Sequence, residues 1–314
     1  MSDPHSHPTT PASPTRQEHI PLAIGYMVAA GAIFSFSNAA SKLLAERYPV
    51  GEVLFSRVLV SLILFCAFVL PTAGFAVFRT RRLGAHGLRS VSQFTSQMLL
   101  LTAFTMMPLA SAMAISFSAP LFATLASLFF LKEPVGGRRW LVLGLGFAGV
   151  LIVTNPGADA FQAGALFALG NAILFGTVTA GVRGMTSTES AATLTIYQLL
   201  LLTLLYGLTL PFVFKAPVWA DAPMIVANGV TNMLGQYWWT RSLHLAPTSA
   251  VAPFQYLSFV WAMMYGYAFW GDIPTASLLL GSAIVVGSGI YLIWHEARPK
   301  PKPKPRPKPE PPAE

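Results

Sequence analysis

Long stretches without a charged residue follow one another along the chain, and nearly all of them are long enough to form a helix across a membrane. Nine such stretches occur: 19–41, 58–78, 90–131, 140–158, 160–182, 190–214, 222–240, 242–271 and 273–295. A transmembrane helix needs about 20 mostly apolar residues, so the stretch 90–131 is too long for one helix, and Pro108 divides it into two. The pattern therefore predicts ten transmembrane helices.

The composition agrees with a membrane protein. The chain is 54% hydrophobic and only 10% charged, with a mean hydropathy of +0.57, whereas about 25% of a typical soluble domain is charged. The apolar stretches are continuous and do not alternate with polar residues, which argues against a transmembrane β-barrel. We therefore expect an all-α membrane protein.

Basic residues are distributed unevenly between the predicted loops. With the N-terminus placed inside, only Lys42, Arg47 and Lys215 fall on the outer side, and nearly all other Lys and Arg fall on the cytoplasmic side. Such an excess predicts that both termini are cytoplasmic. Residues 1–19 lack the apolar core of a signal peptide, and residues 297–314 alternate Pro with Lys or Arg. Both are predicted to be disordered tails, the second either solvated or resting on anionic lipid headgroups.

The sequence also contains an internal repeat at a shift of 139 residues. This register aligns six pairs without a gap: Gly25 with Gly164, Ala29 with Ala168, Gly31 with Gly170, Phe36 with Phe175, Pro108 with Pro247, and Glu133 with Asp272. It predicts two five-helix repeats, residues 20–158 and 160–296. Because five is odd, the second repeat should enter the membrane with the opposite orientation, an inverted topology that recurs in transporters.

Amide side chains recur at intervals of four inside the predicted helix 222–240, at Asn228, Asn232 and Gln236. The shift of 139 places Gln93 and Gln97 opposite Asn232 and Gln236, so both helices carry a polar face. An amide in hydrocarbon without a partner costs several kcal/mol. Either these amides line a central cavity between the repeats, which we favour, or they only bridge neighbouring helices.

Three segments resemble EamA-type transporters of the drug/metabolite transporter superfamily, and the resemblance covers about residues 20–295. Residues 103–134, AFTMMPLASAMAISFSAPLFATLASLFFLKEP, resemble the family's signature around its third and fourth helices. Residues 242–274 resemble its second copy, with Asp272 in place of Glu and Phe259 where the first copy has Pro120. We therefore expect the helix containing Phe259 to be the straighter of the two. Residues 36–60 resemble the part that carries the family's first-helix Lys and second-helix Arg, here Lys42 and Arg57.

The resemblance implies ten helices and transport of a small molecule across the bacterial inner membrane. It does not imply one substrate, because the family includes exporters of amino acids and importers of S-adenosylmethionine or riboflavin. Membrane lipids and a small-molecule substrate are the expected partners. The basic residues lie in loops and tails, so nucleic acid is not an expected partner.

The candidate substrate-binding residues are mostly amides and aromatic side chains within the predicted helices. They are Asn38, Gln93, Gln97, Ser116, Asn232, Gln236, Trp239, Gln255, Tyr256 and Trp261; for Trp261, a place in the ordinary core is an equal alternative. Amides offer donors and acceptors, aromatic faces stack on planar rings, and no Asp or Glu lies deep in a predicted helix. This set favours an uncharged or zwitterionic heteroaromatic substrate such as riboflavin. An amino acid or S-adenosylmethionine is the alternative.

Two basic residues fall inside or at the end of predicted helices, and each has two interpretations. Arg57 could anchor the fold, by reaching outward or by pairing with Glu46 or Glu52, or it could act in gating or contact a substrate carboxylate. Lys42 has the same two interpretations, an anchor of the fold or a role in gating or substrate contact. The absence of a deep acidic residue favours a facilitator or exchanger over a proton-driven carrier.

Other functions have less support in the sequence. An intramembrane enzyme would need a nucleophile with a base or a metal site, but the sequence contains no HExxH or GxSxG motif and its His residues are scattered. Cys66 is the only cysteine, so neither a disulfide nor a thiolate metal site is expected, and no cofactor is predicted. A membrane scaffold without transport activity is a remote alternative. The sequence indicates neither the direction of transport nor an oligomeric state.

Overall fold

The computed structural model describes residues 19–122, 125, 137–154, 163–183, 185, 189–246, 251 and 254–296. Its helices of eight or more residues are α1 (Ile20–Ala45), α2 (Val50–Ala73), α3 (Leu83–Met106), α4 (Leu109–Ser116), α5 (Gly137–Thr154), α6 (Ala163–Arg183), α7 (Ala191–Gly207), α8 (Ala222–Leu245), α9 (Ser258–Trp270) and α10 (Ala276–Glu296). The described residues contain no strand, and the all-α prediction is confirmed for them. Residues 1–18 and 297–314 of the predicted tails, as well as Glu133 and Pro247, lie outside the described residues.

Local sequence signals account for where several of these helices begin and end. Pro49 and Pro108 stand immediately before α2 and α4. Proline is tolerated at the start of a helix and disrupts its interior, so each marks a helix start. The Ser190 hydroxyl accepts a hydrogen bond from the Thr193 amide and caps α7. Helix α9 ends at Gly271, whose φ of 68° lies in the left-handed region that glycine adopts without strain.

The helices differ in how well they meet the requirements for a membrane span. Among the described helices, α1 and α2 are long and apolar enough to cross a membrane, and several others are apolar but shorter. The outer surface nevertheless carries many exposed large apolar side chains, among them Ile63, Phe68, Leu145, Leu204 and Leu280. An apolar surface of this extent suits contact with lipid and would be a liability in water.

The structure contains the repeat at the register found in the sequence. Helices α3 and α8 begin and end 139 residues apart. Met107 and Ala246, which follow them, have nearly the same backbone conformation, with φ and ψ of −149° and 165° in the first and −148° and 160° in the second. Turns interrupt the next helix of each repeat at the equivalent positions 117–118 and 256–257. The expectation of a straighter helix around Phe259 is therefore wrong: the second copy has no proline at 259, but its helix is also interrupted, three residues after Pro253 in the sequence.

Helices of the first repeat pack mainly against helices of the second. Helix α1 packs on α8 and α9, and correspondingly α6 packs on α3 and α4. Helix α2 packs on α8, as α7 packs on α3, and the pairs α2–α7, α4–α9 and α5–α10 each join equivalent helices. Exchanging the two repeats leaves this set of pairs unchanged, which is the behaviour of a pseudo-two-fold axis through the centre of the bundle.

Glycine residues let α5 and α10 cross with their backbones in contact. A Cβ atom added at Gly281 would lie 2.7 Å from the Gly149 carbonyl oxygen, and one added at Gly149 would lie 2.9 Å from the Gly281 carbonyl oxygen. The two backbones therefore touch directly, as small residues allow in membrane bundles. Gly149 is the last residue of the glycine-rich stretch 144–149, so the end of that stretch packs on α10.

We expect Gly281→Ala to lower the free energy of unfolding by about 1–3 kcal/mol, because overpacking a tight contact forces the helices apart. Gly287→Ala on the same helix is the matched control, since a Cβ added there would meet nothing within 4 Å. Thermal unfolding of both variants in detergent measures the difference. Equal unfolding midpoints for the two variants would show that the crossing is not as close as described.

Candidate functional site

A buried amide joins the two repeats at the centre of the α1–α8 contact. Asn228 is fully buried, and its side-chain oxygen accepts hydrogen bonds from the hydroxyls of Ser37 (2.7 Å) and Ser41 (3.3 Å). Its side-chain nitrogen lies 3.0 Å from the Ser41 hydroxyl. The amide is thus held by two serines one helical turn apart on α1, which fixes α1 against α8.

Arg57 continues this set of polar contacts from α1 into α2 and α3. The guanidinium donates to the Gln97 side-chain oxygen over 2.9 Å and lies 3.4 Å from the Ser41 hydroxyl. The hydroxyl of Tyr206 on α7 donates to the same Gln97 oxygen over 3.0 Å. One amide oxygen on α3 therefore receives hydrogen bonds from two other helices, α2 and α7.

A third link joins α2 to α8. The Ser61 hydroxyl contacts the carbonyl oxygens of Arg57 and Gly229, each at 2.8 Å, and receives a hydrogen bond of 2.9 Å from the Asn232 side-chain nitrogen. We call the connected set the central network: Ser37, Ser41, Arg57, Ser61, Gln97, Tyr206, Asn228 and Asn232. It contains two predicted substrate-binding residues, Gln97 and Asn232, and in both cases the amide bridges helices.

Four other predicted substrate-binding residues have side-chain polar atoms that take no part in the hydrogen bonds between helices. Gln93, Gln236, Gln255 and Trp261 are half-buried, and their side chains make no hydrogen bond with any described residue. Gln93 lies one turn from Gln97, and Gln236 lies one turn from Asn232. Free amides therefore continue the polar faces of α3 and α8, and each is equivalent to a bridging amide of the other repeat: Gln93 to Asn232, and Gln236 to Gln97.

The remaining predicted substrate-binding residues lie apart from the central network or make only local contacts. The Asn38 side-chain nitrogen lies 3.7 Å from the Met113 sulfur, and the Ser116 hydroxyl donates to the Ala112 carbonyl of its own helix. Trp239 packs on the small apolar cluster that includes Met27. None of these three contributes to the set of contacts that joins α2, α3, α7 and α8.

Tyr256 is directed toward α10. Its ring makes an edge contact with Phe117 at 5.2 Å between centroids, and its hydroxyl is so close to Gly289 that a Cβ there would collide with it. The hydroxyl is buried without a hydrogen-bond partner among the described residues. This position places the Tyr256 hydroxyl away from the central network.

Lys42 lies at the end of α1 in a separate cluster. Its ammonium donates to the Met107 carbonyl over 3.1 Å and sits 4.6 Å from the centre of the Trp270 ring. The Trp270 indole nitrogen donates to Glu46 over 2.7 Å. Lys42 therefore ties α1 to the ends of α3 and α9, which matches the anchoring interpretation.

The interpretation in which Arg57 pairs with Glu46 or Glu52 is wrong. Glu46 is engaged with Trp270, and the Glu52 carboxylate accepts a hydrogen bond of 2.8 Å from the Lys215 backbone amide. The side chain of Arg57 points into the bundle, where Gln97 and Ser41 are its acceptors. Burial in the central network keeps the charge away from both glutamates.

The two repeats are also joined at the loops that connect α1 with α2 and precede α8. Arg47 forms an ion pair with Asp221 at 2.8 Å, and the Tyr48 hydroxyl donates to the same carboxylate over 2.7 Å. These hydrogen bonds, that of Tyr48 first, hold the pKa of the Asp221 carboxyl below its usual value. The contact therefore stabilises the fold above the ordinary carboxyl pKa and weakens as pH falls through the lowered pKa.

Several polar contacts of this structure were missed in the sequence. They involve Ser37, Ser41, Ser61, Tyr206 and Arg89, whose guanidinium contacts the Gln198 side-chain oxygen and the Leu194 carbonyl. Ser37 and Ser41, like Arg57 and Ser61, are four residues apart and so share a helix face. That spacing is the same signal that identified Asn228 and Asn232, but serine is too common in membrane helices to be conspicuous.

We expect Tyr256→Phe to leave transport within about twofold of wild type and to stabilise the fold slightly, because it removes a buried hydroxyl without a partner. Tyr206→Phe is the matched comparison, since its hydroxyl donates to Gln97, and we expect it to reduce both transport and stability. Transport assays and thermal unfolding of the two variants check this difference. Loss of transport in a well-folded Tyr256→Phe variant would show that the hydroxyl contacts substrate.

Comparison with known proteins gives a consistent result. The chain resembles riboflavin transporters of Rhizobium johnstonii (28% identical over 276 residues, 87% of this chain and 91% of the relative) and Vibrio cholerae (26% over 280 residues, 87% and 93%). It also resembles an S-adenosylmethionine uptake transporter of Rickettsia bellii (25% over 277 residues, 88% and 95%). A protein crystal structure shares the fold with a TM-score of 0.61 at 18% identity, covering 86% of this chain and 97% of that chain.

The family assignment rests on a match to both repeats. The sequence profile of the EamA-like transporter family matches residues 21–155 and again residues 162–294, which together span nearly all of the chain between the predicted tails. Two EamA repeats, an all-helical fold and relatives that are transporters lead to the same conclusion. This chain is a membrane protein that belongs to the EamA-like transporter family.

Proposed function

We propose that this protein carries a small heteroaromatic metabolite across the bacterial inner membrane by alternating access, with riboflavin as the best candidate. The observation that carries the proposal is the central network between the repeats, together with the free amides of Gln93 and Gln236 beside it. Donors and acceptors that are not used by the fold are what an uncharged polar solute needs within a membrane.

The proposed architecture is that of ten transmembrane helices in two inverted five-helix repeats, with both termini in the cytoplasm. The packing of the helices supports it, because the set of packed pairs is unchanged when the two repeats are interchanged, and equivalent helices pack on each other. In such a fold the repeats can exchange inward and outward roles around a site on the axis. The candidate binding residues of α3 and α8 lie on either side of that axis.

Two observations favour riboflavin over the alternatives. Relatives named as riboflavin transporters match along most of both chains, and the described polar groups of the central network are neutral except for Arg57. S-adenosylmethionine has two cationic groups and one carboxylate, so its net positive charge disfavours it beside this guanidinium relative to uncharged riboflavin. Because one relative is named as an S-adenosylmethionine uptake transporter, S-adenosylmethionine is the second candidate substrate.

Ligand binding tests this proposal independently of the direction of transport. Riboflavin is fluorescent, and its emission is quenched when it stacks on aromatic side chains, so titration of the purified protein in detergent reports binding directly. We expect saturable quenching that unlabelled S-adenosylmethionine does not reverse. Saturable binding of S-adenosylmethionine alone, by folded protein, would select the second candidate and reject riboflavin.

A further inference from the structure

Arg57 is a buried cation whose described partners are all neutral. Arg57 is only 6% exposed. Its acceptors are the side-chain oxygen of Gln97 at 2.9 Å and the hydroxyl oxygen of Ser41 at 3.4 Å. The Nε atom is buried and has no hydrogen-bond partner among the described residues. The guanidinium therefore keeps donor capacity that the fold does not use.

Retaining such a group has a cost that packing alone does not explain. A buried charge without an opposite charge is destabilising, and a well-packed apolar side chain in its place is often neutral or stabilising. A guanidinium carries five N–H donors in a planar fork that fits two oxygen atoms side by side. Here two neutral acceptors are in place, and Nε has no acceptor among the described residues.

The surroundings hold this fork in one orientation. Gln97 accepts from Arg57 and from Tyr206 with the same oxygen, so its own NH₂ group is left as a further donor and makes no hydrogen bond with a described residue. Ser41, the other acceptor, is itself fixed by Asn228. The result is a rigid group of donors at the junction of α1, α2, α3 and α7.

We propose that Arg57, oriented by Gln97, binds a planar pair of oxygen atoms on the transported solute. This inference rests on the proposed transport function and specifies which part of the substrate the central network contacts. Two kinds of molecule present such a pair: a carboxylate, as in an amino acid, whose two oxygens lie side by side and fit the fork of Arg57, and a flavin ring, whose two carbonyl oxygens flank the N3–H and would accept from Arg57 and from the Gln97 NH₂ group respectively. An electron-rich oxygen pair compensates the buried charge, and its binding would be strongest while the site is closed to water.

The experiment compares ligands as well as variants. Wild type, Arg57→Lys and Arg89→Lys are purified in detergent, and equilibrium binding is measured for riboflavin, 2-thioriboflavin, phenylalanine and phenylalaninamide. Arg89→Lys is the matched control, because Arg89 is also a buried arginine held by neutral acceptors but lies outside the central network. Thermal unfolding midpoints show whether each variant is folded.

For a flavin ligand we expect Arg57→Lys to raise the Kd for riboflavin about tenfold or more, because lysine keeps the charge and loses the fork. Arg89→Lys should leave it unchanged. Wild type should bind 2-thioriboflavin more weakly than riboflavin, since sulfur is a poor acceptor, and Arg57→Lys should reduce that preference. The comparison of the two flavins in wild type does not depend on any variant being stable.

A carboxylate ligand gives a different pattern. Wild type would then bind phenylalanine and not its amide, Arg57→Lys would remove that preference, and riboflavin would not bind. That result would support the role of Arg57 while rejecting the heteroaromatic substrate. Binding that is equal for both members of each pair, binding unaffected by Arg57→Lys, or no binding of any of the four ligands by folded wild type would overturn the inference.

Discussion

Gln97→Leu is expected to abolish transport and to lower the free energy of unfolding by about 3–5 kcal/mol, because it leaves a buried arginine and a buried hydroxyl without their shared acceptor. Both donors reach the same amide oxygen, Arg57 over 2.9 Å and Tyr206 over 3.0 Å. Without that oxygen, the Tyr206 hydroxyl keeps only the Phe94 carbonyl, 3.5 Å away. Thermal unfolding and a transport assay on the purified variant measure the two effects.

The matched control for stability is Gln93→Leu, one turn earlier on α3. The Gln93 side chain makes no hydrogen bond with a described residue, so its replacement should change the free energy of unfolding by less than about 1 kcal/mol. Gln97→Glu keeps an acceptor for both donors and should recover part of the stability. Equal destabilisation by Gln93→Leu and Gln97→Leu would contradict the role of Gln97 in the central network.

Asn228→Ala is expected to destabilise the fold by about 2–4 kcal/mol, since it removes a fully buried amide that holds α1 against α8 and leaves Ser41 without one of its partners. Thr231→Ala, three residues later on the same helix, serves as the control. Its hydroxyl contacts only carbonyls of its own helix, so less than about 0.5 kcal/mol should be lost. Chemical or thermal unfolding in detergent compares them, and similar losses would show that the amide is not a structural link.

Sequence periodicity was sufficient to predict the all-helical fold and the repeat. Charge-free stretches predicted the helices, and the register of 139 residues relates the ends of α3 and α8 in the structure. The helix breaks near Ser116 and Gln255 were harder to foresee. They occur at equivalent positions, but the nearby prolines do not: Pro120 follows the first break and Pro253 precedes the second, so a shared proline does not account for the shared position of the breaks.

The candidate site was predicted less well than the fold. Spacing identified Gln97 and Asn232 as inward-facing, but it did not show that both are used to bridge helices. Periodicity gives the face of a helix and not the helix that faces it. The contacts of Arg57 with Ser41 and Gln97, and of Tyr206 with Gln97, join residues far apart in sequence, and only the packed structure brings them together.

The positions of the charged residues show the same limit. Arg57 is close in sequence to Glu52, and a local pairing was a natural alternative, but the two side chains serve different contacts in the structure. Arg89, which the distribution of basic residues places on the cytoplasmic side, is buried against α7. In both cases the tertiary partner, and not the neighbouring sequence, decides where the charge lies.

Counterflow in proteoliposomes tests most directly whether the protein is a carrier with its site between the repeats. Liposomes loaded with one unlabelled compound are mixed with its labelled form, for riboflavin, phenylalanine, threonine and S-adenosylmethionine in turn. Wild type is compared with Gln236→Leu, a variant that should keep its stability because Gln236 makes no hydrogen bond with a described residue. We expect transient accumulation of labelled riboflavin that falls at least about tenfold in Gln236→Leu. Accumulation that is equal in both proteins would contradict a binding site on the polar faces of α3 and α8, and no accumulation of any compound by folded wild type would contradict the proposed substrate class.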